Sequence, residues 1–183
     1  MITAIVNVDE NWGIGNNNEL LIRIPEDMKR FKEITTSANT NSLIVGRKTY
    51  ESLPKKMLAN LSDTNRHCVV VTNSINSPRF YEDGTVRTDM KSLVEWLNAK
   101  DCLYPKHDFY VIGGGKIYKE LLPLCDLVYV TKVFHKFDNV DTYFPNLDEM
   151  HQWYITSNNE AKEYNGIWYQ FYTYEQTRSD KHE

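Results

Sequence analysis

Three short stretches carry residues able to do chemistry. In "YVIGGGKIYKEL", residues 110–121, Gly113, Gly114 and Gly115 stand between an apolar run and a helical pattern. Without Cβ atoms the chain turns sharply there, and a ligand can come up to the peptide groups. A helix starting at Lys116 would turn free N–H groups toward an anion such as a phosphate. The other reading is a tight strand-to-helix turn with no ligand. In "PEDMKRFKEIT", Asp27 shares a helical face at i+4 with Phe31. A carboxylate and a ring one turn apart can grip a flat, nitrogen-rich heterocycle, and a buried acid needs a hydrogen-bonding partner. An ordinary first-turn acid is the alternative, and Glu26 is expected to be one. In "VGRKTYES", Gly46 ends a strand and Arg47, Lys48 and Thr49 follow. Two cations and a hydroxyl suit a phosphomonoester or pyrophosphate, or else form a solvated surface. Thr72 and Asn73, ending the next strand, bring hydroxyl and amide groups to the same edge.

The elements that must position these residues follow from periodicity. Residues 2–8, "ITAIVNV", read as a buried strand, and a loop runs from Asp9 to about Ile24. Pro25 opens a helix with acids in its first turn and Met28, Phe31, Lys32 and Ile34 on one face. "SLIVGR" and "HCVVVT" read as buried strands joined by a turn-rich connection from Leu53 to Arg66. "DMKSLVEWLNAK" is an amphipathic helix with Asp89 as N-cap and Leu93, Trp96 and Leu97 on one face. "DFYVIGG" and "CDLVYVTKV" are further strands, and "WYITSNN" and "IWYQFYTYE" alternate like an antiparallel pair. The expected fold is α/β: a central, mostly parallel twisted sheet of about eight strands with an antiparallel C-terminal edge, flanked by about four helices. The glycine run then lies at the carboxyl end of a buried parallel strand, where open α/β sheets place ligands. It has neither the GxxxxGK[ST] spacing nor the full GxGxxG fingerprint.

With 183 residues the chain suits one domain, expected over 1–175, with a polar tail at 176–183. A net charge of −4 gives no basic footprint for nucleic acid. Cys68, Cys102 and Cys125 form no CxxC pair, against a disulfide framework or zinc site. His67, His107, His135 and His151 lack metal-ligand spacing, so no metal is expected. No signal peptide or membrane span is read, and the expected setting is the cytoplasm. The tyrosine-rich end suits sheet packing better than nucleic-acid stacking.

Seven motifs in order, "WGIGNNNEL", "IPEDMKRFK", "VGRKTYESLP", "NRHCVVVTN", "VIGGGKIY", "VYVTKV" and "DTYFP", make the chain resemble the dihydrofolate reductase family along nearly its full length. The resemblance implies reduction of 7,8-dihydrofolate by hydride transfer from NADPH to pterin C6 with protonation at N5, serving one-carbon metabolism. A monomer is the default expectation, with antifolate inhibitors as expected small-molecule partners beside dihydrofolate. Asp27 would hold the pterin through N3 and the 2-amino group, and Thr131 would bond both the acid and that edge. Ile5, Asn7, Leu20, Phe31, Leu53 and Ile112 would line the substrate pocket, and Arg66 would fork the glutamate α-carboxylate. For the cofactor, Gly114 and Gly115 would take the pyrophosphate on backbone, continued by Lys116, Ile117 and Tyr118. Gly46, Arg47, Lys48, Thr49, Thr72 and Asn73 would meet its phosphates, the cations favouring NADPH over NADH. Val6, Ile14, Gly15, Asn18, Leu20 and Ile112 would border the nicotinamide half, and Asn16 to Leu20 would be a closing loop.

The sequence departs from that pattern at several points. Leu21 and Ile22 stand where many members have "PW", Asn7 replaces a small apolar residue, and Lys116 replaces an arginine. The connection from Pro54 to Asn65 is longer than in compact members. Two other readings remain at this stage: a reductase of the same fold acting on another pterin-like or pyrimidine substrate, and a non-catalytic nucleotide-binding module.

Overall fold

The computed structural model describes residues 1–37, 40–54, 66–103 and 105–177. Its spine is one ten-stranded sheet. At its centre lie β1 (Ile2–Val8), β4 (Asn41–Gly46), β5 (Arg66–Val71), β8 (Asp108–Gly113) and β9 (Leu127–Val133). The order β9-β1-β8-β4-β5 is parallel throughout. Apolar runs form these strands because both sheet faces are covered. Leu43 and Val45 pack with Phe31 and Ile34 on one face, whereas Ile44, Val69 and Val71 pack with Leu93 and Leu97 on the other.

The expected C-terminal edge is antiparallel: β13 (Ile167–Gln176) pairs β9 on one side and β11 (Trp153–Asn158) on the other. The last strand runs past the boundary expected at 175. Gln176 pairs with Trp153, and the Thr177 N–H donates to the Gln152 carbonyl at 2.8 Å. Backbone pairing overrides polar composition there, and 178–183 lie outside the described residues.

The remaining strands were not anticipated. Arg79–Phe80 (β6) and Thr85–Thr88 (β7) extend the β5 edge, and Lys162–Tyr164 (β12) pairs β13. Gly13–Asn16 (β2), Glu19–Leu20 (β3) and Thr142–Tyr143 (β10) form a small separate sheet. Runs of two to four residues are too short to show a period of two. The expected loop after β1 is therefore a hairpin. Buried Asp9 anchors its base by accepting the N–H groups of Asn11 and Gly13 at 2.9 and 2.7 Å.

Helix α1 (Pro25–Thr35) starts at its proline without a side-chain cap and ends where the Thr35 hydroxyl donates to the Phe31 carbonyl at 2.8 Å. Within the expected apolar face, Met28 and Lys32 are exposed, while Phe31 and Ile34 are half-buried. Glu26 does more than an ordinary first-turn acid: it accepts the Tyr169 hydroxyl at 2.5 Å and pairs with Lys162, tying α1 to β13 and β12. Helix α2 (Arg47–Ser52) follows β4 directly. Helix α3 (Met90–Asn98) has the expected N-cap, Asp89 accepting the Ser92 N–H at 3.0 Å, and buries Leu93 and Leu97. A short turn of helix, α4, covers Lys100–Leu103, and α5 (Gly115–Leu121) follows β8, one residue earlier than expected. Most of the expected Leu53–Arg66 connection, residues 55–65, lies outside the described residues.

Candidate active site

The carboxyl ends of β1, β4, β5 and β8, with the starts of α1, α2 and α5, surround a cleft of about 1010 Å³. That volume is at the upper end for small-molecule sites, enough for two ligands side by side. The β2–β3 hairpin contributes Ile14, Gly15, Asn18 and Leu20 to its wall.

On one side the cleft holds a fixed carboxylate. The first turn of α1 sets Asp27 against the sheet where Asn7 on β1 and Thr131 on β9 stand opposite each other in register. The Thr131 hydroxyl donates to Asp27 Oδ1 at 2.6 Å, and Asn7 Nδ2 donates to Oδ2 at 3.1 Å. Burial pushes the Asp27 carboxyl above its ordinary range, against these two bonds and the charge of Arg30, which favour ionisation. Ile5, Phe31, Leu53 and Ile112 supply apolar surface beside it. Such a wall can hold a neutral donor or a cationic ring in a dry setting.

On the other side the cleft wall is glycine backbone. Gly113 has φ +115°, where L side chains are strained. A Cβ on Gly114 would lie 2.7 Å from Thr49 Oγ1, and one on Gly115 would lie 2.6 Å from Thr142 Cγ2. The bare backbone thus solves a packing problem and leaves an open cradle. Gly46, Arg47, Lys48, Thr49, Thr72 and Asn73 line the cleft around it, as do Val6, Lys116, Ile117 and Tyr118. Arg47 is exposed and held by Glu51 in a two-pronged bond at 2.9 Å; Lys116 faces Glu120 at 3.7 Å. Tyr118 also reaches under the floor, its hydroxyl donating to the Ile5 carbonyl at 2.6 Å, and full burial pushes its phenol far up.

Two expected site residues are not in the lining. Thr131 is buried beneath Asp27 and donates its hydroxyl to that carboxylate. Arg66 is buried at the start of β5 and donates to Thr35 Oγ1 at 3.1 Å. Others were missed: Arg23, Met28, Ser74 and Met90 also border the cleft. Met28 stands next to Asp27 in sequence and on the face expected to carry Phe31, the two signals that point to it. Among the described residues no group of His, Cys, Asp and Glu is placed to hold a metal, and no helix is long and apolar enough to cross a membrane.

The family model described as dihydrofolate reductase matches residues 1–176. This chain belongs to the dihydrofolate reductase family. It is 35% identical to the dihydrofolate reductase of Bacillus subtilis (strain 168), covering 99% of this chain and 98% of the relative. The dihydrofolate reductase of Schistosoma mansoni is 32% identical over 80% of this chain and 79% of its own. Among solved structures, dihydrofolate reductase from Enterococcus faecalis, complexed with NADP(H) and RAB-propyl, superposes with a TM-score of 0.73 at 29% identity, covering 97% of both chains. In this chain Asn7 is a second donor on the carboxylate, beside Thr131. Ile22 packs beside Ile24, Val133, Tyr169 and Phe171.

Proposed function

We propose that this chain reduces 7,8-dihydrofolate to 5,6,7,8-tetrahydrofolate with NADPH. The carrying observation is one cleft that sets a carboxylate with both oxygens engaged across from a side-chain-free backbone cradle. Asp27 binds the pterin N3–H and 2-amino group, and Thr131 fixes the plane of the carboxylate. Phe31, Ile5, Leu53 and Ile112 hold the flat ring and exclude water. Negative charge on Asp27 raises the basicity of the bound ring and so favours a proton at N5.

The residues of the second half fit a dinucleotide. Gly114 and Gly115 accept the pyrophosphate along their backbone, and Arg47, Lys48, Thr49, Thr72 and Asn73 meet the phosphates, including the one that distinguishes NADPH. Bound NADPH supplies the hydride for pterin C6. Val6, Ile14, Gly15, Asn18, Leu20 and Ile112 orient the nicotinamide end, and Asn16 to Leu20 close over it. For Arg66 the α-carboxylate role rests on the resemblance alone. The unit is one domain, its last strand reaching Gln176, acting as a cytoplasmic monomer, and it binds antifolates in the pterin half.

Loss of reduced-nicotinamide absorbance on mixing protein, NADPH and dihydrofolate, against a control without dihydrofolate, tests this reading. Oxidation that depends on dihydrofolate is expected. NADPH binding without such oxidation would sink the folate assignment in favour of another substrate or a binding module.

A further inference from the structure

Behind Asp27 lies a cation that the substrate and cofactor surfaces do not use. Arg30 sits one helical turn along α1, and its guanidinium carbon lies 4.4 Å from the ring centre of Phe171 and 5.3 Å from that of Tyr129. The sheet register puts both rings on the face that carries the carboxylate's partners. Phe171 pairs with Thr131, Tyr129 precedes Thr131 by two residues on β9, and Ile5 and Asn7 stand opposite Tyr129 and Thr131. Arg30 is half-buried and outside the cleft lining, and among the described residues it has no carboxylate at ion-pair distance. Burying part of a guanidinium away from any carboxylate contact costs solvation, which the two ring faces and the charge of Asp27 offset.

We propose that Arg30 is a positioning residue for the reaction, caged by Tyr129 and Phe171 so that its charge keeps Asp27 ionised inside the dry wall. A cation one turn away favours the carboxylate without occupying an oxygen that the substrate needs. The aromatic faces hold the guanidinium by cation–π attraction and stop it from collapsing onto Asp27. The other charged or titratable groups around the pair do not replace it. Glu26, on the same helix, is paired with Lys162 from β12 and bonded by Tyr169 from β13. Tyr118 from α5 spends its hydroxyl on the Ile5 carbonyl, and β1 contributes only Asn7. The proposal rests on the dihydrofolate reductase reading only for its catalytic consequence.

The test is carboxyl ¹³C NMR titration of Asp27 in the full chain without ligands, with Asp27→Asn used to assign the signal. Arg30→Met keeps the stem between the rings and removes the charge; its Asp27 midpoint is expected to rise by about one pH unit, while Arg30→Lys moves it much less. Arg30→Gln replaces the methionine variant if that one loses its cooperative melting transition. The alkaline limb of the kcat/KM profile for dihydrofolate should shift the same way, because loss of a cation eases protonation of the coupled acid and pterin. A neutral variant that melts cooperatively yet titrates with the wild-type midpoint overturns the proposal. That outcome is separate from a wild-type protein that fails to oxidise NADPH with dihydrofolate, which would overturn the reaction but not the titration result.

Discussion

The two halves of the cleft are built in opposite ways. The half proposed for the substrate depends on what side chains add: one carboxylate in a dry wall, fixed by Thr131 and Asn7 from adjacent strands. The half proposed for the cofactor depends on what side chains leave out, with Gly114 and Gly115 opening the backbone and exposed cations at its rim. In the first, removing one functional group should stop chemistry and spare binding elsewhere. In the second, adding a methyl group should do more harm than removing a charge.

Asp27→Asn tests the first half and should give the largest effect. It keeps the shape and one acceptor but loses the charge that favours protonation, so kcat/KM for dihydrofolate should fall by roughly 10²- to 10⁴-fold. NADPH affinity, read by fluorescence titration, should stay within about twofold, because the change removes nothing the cofactor half uses. Equal loss of both would show that the halves are not independent.

Gly115→Ala tests the second half by addition. Its Cβ would need to displace Thr142, 2.6 Å away, on a strand of the small sheet that also carries the hairpin. Overpacking of this kind costs about 1–3 kcal/mol, and the NADPH Kd should rise by roughly tenfold or more. Dihydrofolate binding should change much less. Lys48→Gln tests the same half by subtraction. Since Lys48 is exposed, the preference for NADPH over NADH should fall by only about three- to tenfold, and less at high salt. If the lysine change exceeds the glycine change, the cradle is not the main determinant.

The same contrast explains what could be read from sequence. Gly113 to Gly115 and the Asp27–Phe31 pair announce themselves locally, through missing Cβ atoms and an i+4 spacing. So do the apolar runs of the parallel strands and the Asp89 cap. The Asn7–Asp27 bond was not derivable, because it depends on β1 lying beside β9 in a register that puts Asn7 opposite Thr131. The cage around Arg30 needs Phe171, brought in by the antiparallel edge from far along the chain. Glu26 looked ordinary for the same reason: its partners Lys162 and Tyr169 are remote in sequence. Local spacing can identify a group, whereas its electrostatic surroundings are a tertiary property.

The smallest expected effect probes those surroundings in the protein without ligands. Burial holds the Asp27 carboxyl above its ordinary range, so the folded chain binds this proton more tightly than the unfolded chain. Stability contributed by such a group falls as pH rises from the unfolded value through the folded one, and levels off above it. Below both values the protonated acid carries no such cost. Asp27→Asn removes the titration, so its stability relative to wild type should increase between about pH 4 and pH 7, measured by urea unfolding at each pH. The gain is limited, since Thr131, Asn7 and Arg30 already offset much of the burial. A flat difference across that range would mean these partners cancel the burial in full, and that the substrate half stores no destabilisation for the ligand to relieve.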